Sequence, residues 1–474
     1  MKSRILISFL FLMTLFLMTA FAQAQKEHAL PKELPPYGPV KPFSAPSVKT
    51  IQLDNGLTVW MVSRGSFPKV AVVLAVRGGL AADPQNRPGL AEVLANALSQ
   101  GTKTRSARQI AEELQAAGGD LDVRATQDSI IVSTSVLADK FDQALPILAD
   151  VAANASFPDA EVAIAKRNVA DSLRQREADP SFLAGHALAK VMFGDHPYSV
   201  VAPTQSAIDQ TTPAELRQEF ARRFRPEQAF LVVVGPFEGT DAESALRKAF
   251  ASWKPAQTAG VQPTPKPEMK FPRAIFLVPR PGSVQTTLRL AYPGPLRQEP
   301  DYEAAQVANA VYGGMFGSRL TLNIREDKGY TYSPFATLRT YREAGFLFTQ
   351  ADVRNAVTGA SLNEIDYELN RMATVPPTEP ELAQARRYLV GLQAINLQSG
   401  GGLARDLSNL WIDGLPPEEI ARHSEKLEKA TEAEVSAAAK KYFAAAHSTV
   451  IAVGEEKVVR RELQPFALEI KPAP

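Results

Sequence analysis

Glu92 and Asn96 stand four residues apart in the stretch Pro88 to Thr102, PGLAEVLANALSQGT, with Ala95 beside them. Apolar residues at Leu90, Val93, Leu94, Ala97 and Leu98 repeat at helical spacing, Pro88 precedes the first turn, and Gly101 stands where a helix-ending glycine belongs. The stretch is therefore expected to be a helix with Glu92, Ala95 and Asn96 on one face. Side chains at i and i+4 can share a metal ion. A catalytic zinc, however, needs three nitrogen, sulfur or carboxylate donors and an open position, and an Asn amide is a poor substitute for an imidazole. The other candidates are His28, His186, His196, His423 and His447, no two of them spaced i, i+4, and there is no cysteine. On residue types, Glu92 and Asn96 read as a polar pair on a helix surface. Thiolate metal sites and cysteine nucleophiles are excluded.

A second set of chemistry-bearing residues lies in YGGMFGSRLTLNIREDKGYTY, 312 to 332. Gly313, Gly314 and Gly317 are expected to form a flexible turn that lets backbone approach a ligand, and Ser318 to cap a helix running through Arg325. Gly329 ends it, and Tyr330 and Tyr332 are expected to open a strand and share one face. By spacing alone, Arg325 pairs with Glu326 or Asp327 and Tyr332 packs in a sheet.

The elements that must position these residues follow from the chain in order. Lys2 and Arg4, an apolar run from Ile5 to about Ala22, and Ala22-Gln-Ala24 have the three parts of a secretory signal, with cleavage expected after Ala24. The run is long enough that an uncleaved anchor is the competing reading. Without Lys2 and Arg4 the chain has 50 basic against 51 acidic residues, a net charge of −1, which points to neither nucleic acid nor an anionic membrane as partner. With no disulfides available, an exported, soluble protein is held by packing, and 474 residues at 45% hydrophobic content suffice for two cores.

Six prolines between 31 and 46 make an extended arm, and Asn55-Gly56 marks a hairpin. Strands are expected at Val70 to Val76, Leu121 to Ala125, Ser129 to Val136 and Phe230 to Val234. Helices are expected from Ser106 to Ala117, in a long region from Lys140 to about Phe193, and after the capping box Thr212-Pro-Ala-Glu215. After a proline-rich linker the pattern repeats. TPAELRQEFARRFRPEQAFLVVVG, 212 to 235, matches TEAEVSAAAKKYFAAAHSTVIAVG, 431 to 454, without a gap, and LANAL at 94 matches ANAV near 308. The expected fold is α+β: two homologous lobes, each a mostly antiparallel sheet with helices packed on it. The divisions are a signal peptide (1–24), an arm (25–47), a first lobe (48–253), a linker (254–272), a second lobe (273–455) and a C-terminal tail (456–474).

Together these features resemble the insulinase or pitrilysin type of metallopeptidase, over nearly all of residues 48 to 455 and including GDHPYS at 194 to 199. The resemblance implies a clamshell of two lobes and a helix bearing an inverted His-x-x-Glu-His motif, whose histidines ligate zinc and whose glutamate is the general base. Carried over, those positions are Glu92, Ala95 and Asn96, all changed. The third ligand, a glutamate on a helix matching 159 to 178, falls near Asp171 to Leu173, where no Glu stands. The resemblance also implies that Arg325 and Tyr332 reach the substrate's scissile carbonyl and its developing oxyanion, with Gly313, Gly314, Gly317 and Tyr330 in the substrate-binding segment. Such asymmetry is similar to the processing-peptidase branch, where a zinc-less subunit pairs with a zinc-bearing paralogue. The expectation is thus a periplasmic subunit with no cofactor of its own, zinc in the partner, and a peptide substrate. The alternative is an inactive peptide-binding or scaffold protein. Gly400-Gly401-Gly402 is expected to be a helix break or a substrate-facing loop.

Overall fold

The β-branched runs and turn glycines of this chain build two six-stranded sheets, in a computed structural model that describes residues 45–474 except 66, 257 and 258. The expected signal peptide and most of the proline-rich arm lie outside the described residues. In the first sheet β1 (Lys49–Gln52) and β2 (Thr58–Ser63) flank the Asn55-Gly56 turn. Gly56 has φ +90°, and the Asn55 amide donates to the carbonyls of Phe250 and Trp253, so the turn is also a tether. With β3 (Lys69–Arg77), β4 (Asp122–Ala125), β5 (Ser129–Leu137) and β6 (Ala229–Gly235), the order is β1-β2-β6-β3-β5-β4. Only β2 and β6 pair in parallel.

Helices α1 (Leu90–Leu98), α2 (Ala107–Ala116), α3 (Phe141–Asn154), α4 (Asp159–Glu177) and α5 (Pro180–Phe193) lie between β3 and β6. They are followed by α6 (Gln205–Gln210) and α7 (Pro213–Arg223), and α8 (Ala242–Phe250) follows β6. The helical region expected from Lys140 to Phe193 is thus three helices, broken at Pro158 and at Asp179-Pro180, where Asp179 caps α5. Thr212 caps α7 as expected. Glu215, however, does not complete a capping box: its carboxylate pairs with Arg87 at 3.0 Å.

The second sheet repeats the first. Its strands are β7 (Ile275–Pro279), β8 (Gln285–Pro293), β9 (Phe335–Tyr341), β10 (Ala344–Arg354), β11 (Thr449–Gly454) and β12 (Ile470–Pro472), in the order β12-β7-β11-β8-β10-β9. Matching β7, β11, β8, β10 and β9 to β2, β6, β3, β5 and β4 reproduces every pairing and its sense. The edge strand differs, since β12 runs parallel to β7 while β1 runs antiparallel to β2. The stretch read as a C-terminal tail (456–474) is therefore folded, into a helix followed by β12. The helices here are α9 (Tyr302–Asn309), α10 (Thr358–Thr374), α11 (Glu379–Gln398), α12 (Gly400–Ile412), α13 (Glu419–Lys429), α14 (Glu432–Tyr442) and α15 (Glu456–Leu463).

Each lobe has its own apolar core, and each lends a helix to the other. Ala184, Ala187, Leu188, Met192 and Phe193 of α5 pack on Ala291, Phe346, Phe348, Ile451 and Val453 of the second sheet. Reciprocally, α12 lies on β3 and β6 of the first sheet. A Cβ on Gly400 would stand 3.7 Å from Ala71 and Val234, and Trp411 stacks on Phe230 with ring centres 5.0 Å apart. Gly400 to Gly402 are thus the first turn of α12, capped by Ser399, and not an open loop.

Candidate functional site

Gly89 starts α1 in the left-handed region, at φ +83°, and a Cβ there would fall 2.1 Å from the Pro203 backbone, so only glycine fits. The helix N-terminus is held from outside by Asp83, whose carboxylate accepts from the Ala91 amide at 3.0 Å. Asp83 is held in turn by the fully buried Arg223 at 2.6 Å. Arg223 also takes the Glu219 carboxylate and the carbonyls of Gly78 and Gly79. Burial pushes the Asp83 carboxyl up to about 6, against the pull of Arg223. Sequence reasoning missed this clamp, because its partners lie 140 residues apart and no local spacing marks them.

Along α1, Ala95 is buried, and Glu92 and Asn96 are partly so. The Asn96 amide donates to its own helix, at the Glu92 carbonyl, 3.0 Å away. The Glu92 carboxylate meets the Arg176 guanidinium of α4 in a two-pronged pair at 2.6 and 3.3 Å. Arg176 Cζ also sits 5.6 Å from the Phe182 ring centre. Of the positions read as the third ligand, Asp171 is exposed and paired with Arg174, and Leu173 is in the core. A zinc ion does not fit this set: both Glu92 oxygens are committed to a cation, Ala95 offers no donor, and a single Asn96 amide oxygen does not make up the three donors that zinc needs. Among the described residues no three His, Cys, Asp or Glu side chains converge anywhere in a metal-holding group.

Arg325 and Tyr332 are brought together. Ser318 caps the turn that follows it, accepting from the Thr321 amide, and the chain widens into a π-type turn over Leu322–Asp327 that Gly329 (φ +61°) ends. Arg325 Cζ lies 4.5 Å from the Phe316 ring centre and 4.6 Å from that of Tyr332. Its Nε is 3.1 Å from Glu326, so the ion pair read from spacing forms as well. Tyr332 is not a sheet residue. The strand expected to open at Tyr330 begins at Phe335, after Pro334, whose ring removes the ladder donor, and Tyr332 is 81% exposed. Gly313 and Gly314 belong to a second π-type turn, Ala310–Gly314, with no positive φ at either or at Gly317. Added Cβ atoms there would fall 2.8 Å from Ala336, 2.8 Å from Asn309 and 2.7 Å from Gln384 respectively. Close packing against β9 and α11, not flexibility, accounts for these glycines.

The two segments are joined through α5. Ser181, next to Phe182, accepts from Arg289 at 2.9 Å; Arg289 pairs with Asp352 at 3.0 Å; and the Thr331 hydroxyl, between the two tyrosines, donates to the Asp352 carbonyl at 2.7 Å. A separate junction comes from GDHPYS: the buried Tyr198 donates to Asp128 at 2.7 Å and accepts from the Glu343 amide, while Asp128 also accepts from the Arg342 amide at 2.9 Å. Beside it lies a cavity of about 440 Å³ bordered by Asp128, Tyr341, Asp406, Asp413 and His423, to which neither motif contributes. Burial raises the carboxyls of Asp128 and Asp406, and that of Asp413 to about 7.

Residues 59–201 match the model of the insulinase family, peptidase family M16, and residues 210–389 the model described as the peptidase M16 inactive domain. The chain belongs to this family. It is similar to an uncharacterized zinc protease of Rickettsia bellii, 24% identical over 71% of this chain and 81% of the relative, and to one of Mycobacterium leprae, 27% identical over 70% and 73%. One from Mycobacterium tuberculosis is 24% identical over 86% and 93%. Among solved structures, a peptidase M16 inactive domain from Pseudomonas fluorescens aligns with a TM-score of 0.79 at 25% identity, covering 86% of this chain and 98% of that one. A protease from Helicobacter pylori shares the fold at 0.79 and 18% identity, covering 86% and 99%.

Proposed function

We propose that this chain is a zinc-free subunit that grips an extended peptide and lends Arg325 and Tyr332 to the active site of a zinc-bearing paralogue. The observation that carries the reading is the contrast between the two motifs. The α1 positions are tied up in a Glu92–Arg176 pair, whereas Tyr332 presents a hydroxyl that meets no protein partner among the described residues, with a guanidinium against its ring. A phenol and a guanidinium so placed can donate to a carbonyl oxygen as charge builds on it. The repeated strand order supports an origin by internal duplication. The signal-like N-terminus supports action in an exported, periplasmic compartment.

Two measurements test this. The isolated protein, given zinc, should hydrolyse no peptide. Mixed at micromolar concentration with a paralogue carrying an intact His-x-x-Glu-His helix, it should form a heterodimer by solution mass, with an interface above roughly 1,000 Å². Strict monomers in the mixture, or zinc-dependent activity of the chain alone, would overturn the reading.

A further inference from the structure

The relatives are named zinc proteases, yet the place on α1 where this family's motif falls is already taken by a positive charge that the chain supplies itself. Glu92 turns both carboxylate oxygens toward α4, and the Arg176 guanidinium receives them at 2.6 and 3.3 Å. On its other side the guanidinium faces the Phe182 ring at 5.6 Å, within range for a cation resting on an aromatic face. Phe182 stacks in turn on His186, with rings 2° from parallel. Anion on one side and ring on the other make a cation seat. The Nε of Arg176 is buried with no acceptor, so the side chain is held by that seat at the cost of one unmade hydrogen bond.

We infer that Arg176 is a built-in substitute for a metal cation: it ties α1 to α4 as a bridging metal would, and it shuts the seat to zinc. The exclusion is active. A fixed guanidinium within a few ångströms repels a divalent ion whatever ligands are offered, and an arginine does not lose its proton to make room. Loss of zinc at this site is then a replacement of one cation by another. The α1–α4 corner, which leads through α5 and Arg289 toward Tyr332, keeps its cross-link without metal.

The test needs neither a partner nor a peptide, so its failure is distinct from failure of the subunit reading. Zinc alone is titrated calorimetrically into two variants: Glu92→His, Ala95→Glu and Asn96→His together with Ser172→Glu, which supplies the missing third donor from α4, and the same four changes plus Arg176→Met. The four-site variant should bind zinc no better than the parent. Removing Arg176 should tighten binding by about a hundredfold, the scale expected when a like charge leaves a metal seat. Equal zinc affinity with and without Arg176 overturns the inference. A second measurement avoids rebuilding the helix: Glu92→Gln and Arg176→Met should each lower Tm, and the exchanged pair Glu92→Arg with Arg176→Glu should recover most of the loss. Single variants with unchanged Tm, or an exchange that recovers nothing, show that the pair is not a cross-link, and the inference falls.

Discussion

At the residue scale the sharpest expectation concerns Tyr332 and Arg325. Tyr332→Phe deletes one hydroxyl from an exposed side chain and keeps the ring against Arg325, so Tm should stay within experimental error. In the active complex, turnover should fall by about 10²–10³-fold, with little change in peptide affinity, as when one oxyanion donor is removed. Arg325→Lys keeps the charge and loses the planar fork, so a partial defect is expected. Full turnover in the Tyr332→Phe complex would make these residues structural. Asp413 yields a stability prediction whose sign follows from its environment. Burial, aided by Asp128 and opposed by Arg297 and Arg342, raises its carboxyl from 3.8 to about 7. Between those values the folded state holds a proton that the unfolded chain releases, so stability falls as pH rises from about 4 to 7, and the contribution is gone above 7. Asp413→Asn should flatten that slope and, at pH 8, raise unfolding free energy by roughly 1–3 kcal/mol. Urea midpoints at pH 5 and pH 8 measure it; parallel pH profiles for parent and variant would refute the assignment. Glu92, Ala95 and Asn96 could be placed on one face from spacing because one turn of one helix contains them, and the family resemblance then set them against the zinc motif. Arg176 could not, because it meets Glu92 across 84 residues and only the packing of α1 on α4 pairs them.

At the scale of elements, glycines separate turns that require them from helices that merely tolerate them. Gly89→Ala combines a left-handed φ with a Cβ 2.1 Å from the Pro203 backbone, and should cost about 2–4 kcal/mol by disrupting the start of α1. Gly185, inside α5, has nothing within 4 Å of an added Cβ, so Gly185→Ala should stabilise by about 0.5–1 kcal/mol. Denaturant unfolding of the two variants checks both signs. The same local physics explains what the sequence reading placed well. Ser106 opens α2 as expected, with Gln109 adding a reciprocal bond beyond that expectation, Thr431 and Glu434 form a capping box at α14, and the hairpin at Asn55-Gly56 lies where its turn chemistry puts it. The reading failed where a distant partner outbid a local one. Glu215 left the Thr212 box for Arg87, and Gly313, read from its neighbours as a flexible turn, lies where an added Cβ would meet Ala336 of β9.

At the scale of the molecule, the two lobes and the linker between them fall, over the described residues, within one compact unit. Exchange of α5 and α12 accounts for this, since neither sheet has both faces covered by its own lobe. Thermal unfolding should therefore be a single cooperative transition. Trp411→Ala, which removes the ring stacked on Phe230 and lying under the Arg77 guanidinium, should lower Tm of the whole molecule, not of one half. Calorimetry showing two separable transitions would contradict it. The exchange also imposes an order on the chain during synthesis. The strands of the first sheet are complete at Gly235, but the helix that covers β3 and β6 does not begin until Gly400. Until then an emerging chain carries an apolar sheet face with no lid, a state that invites holdase chaperones and mispairing with a neighbouring nascent chain. Folding speed should accordingly be limited by closure of that long loop, and brief pauses in elongation between residues 235 and 400 should lower the soluble yield more than pauses placed after Ile412.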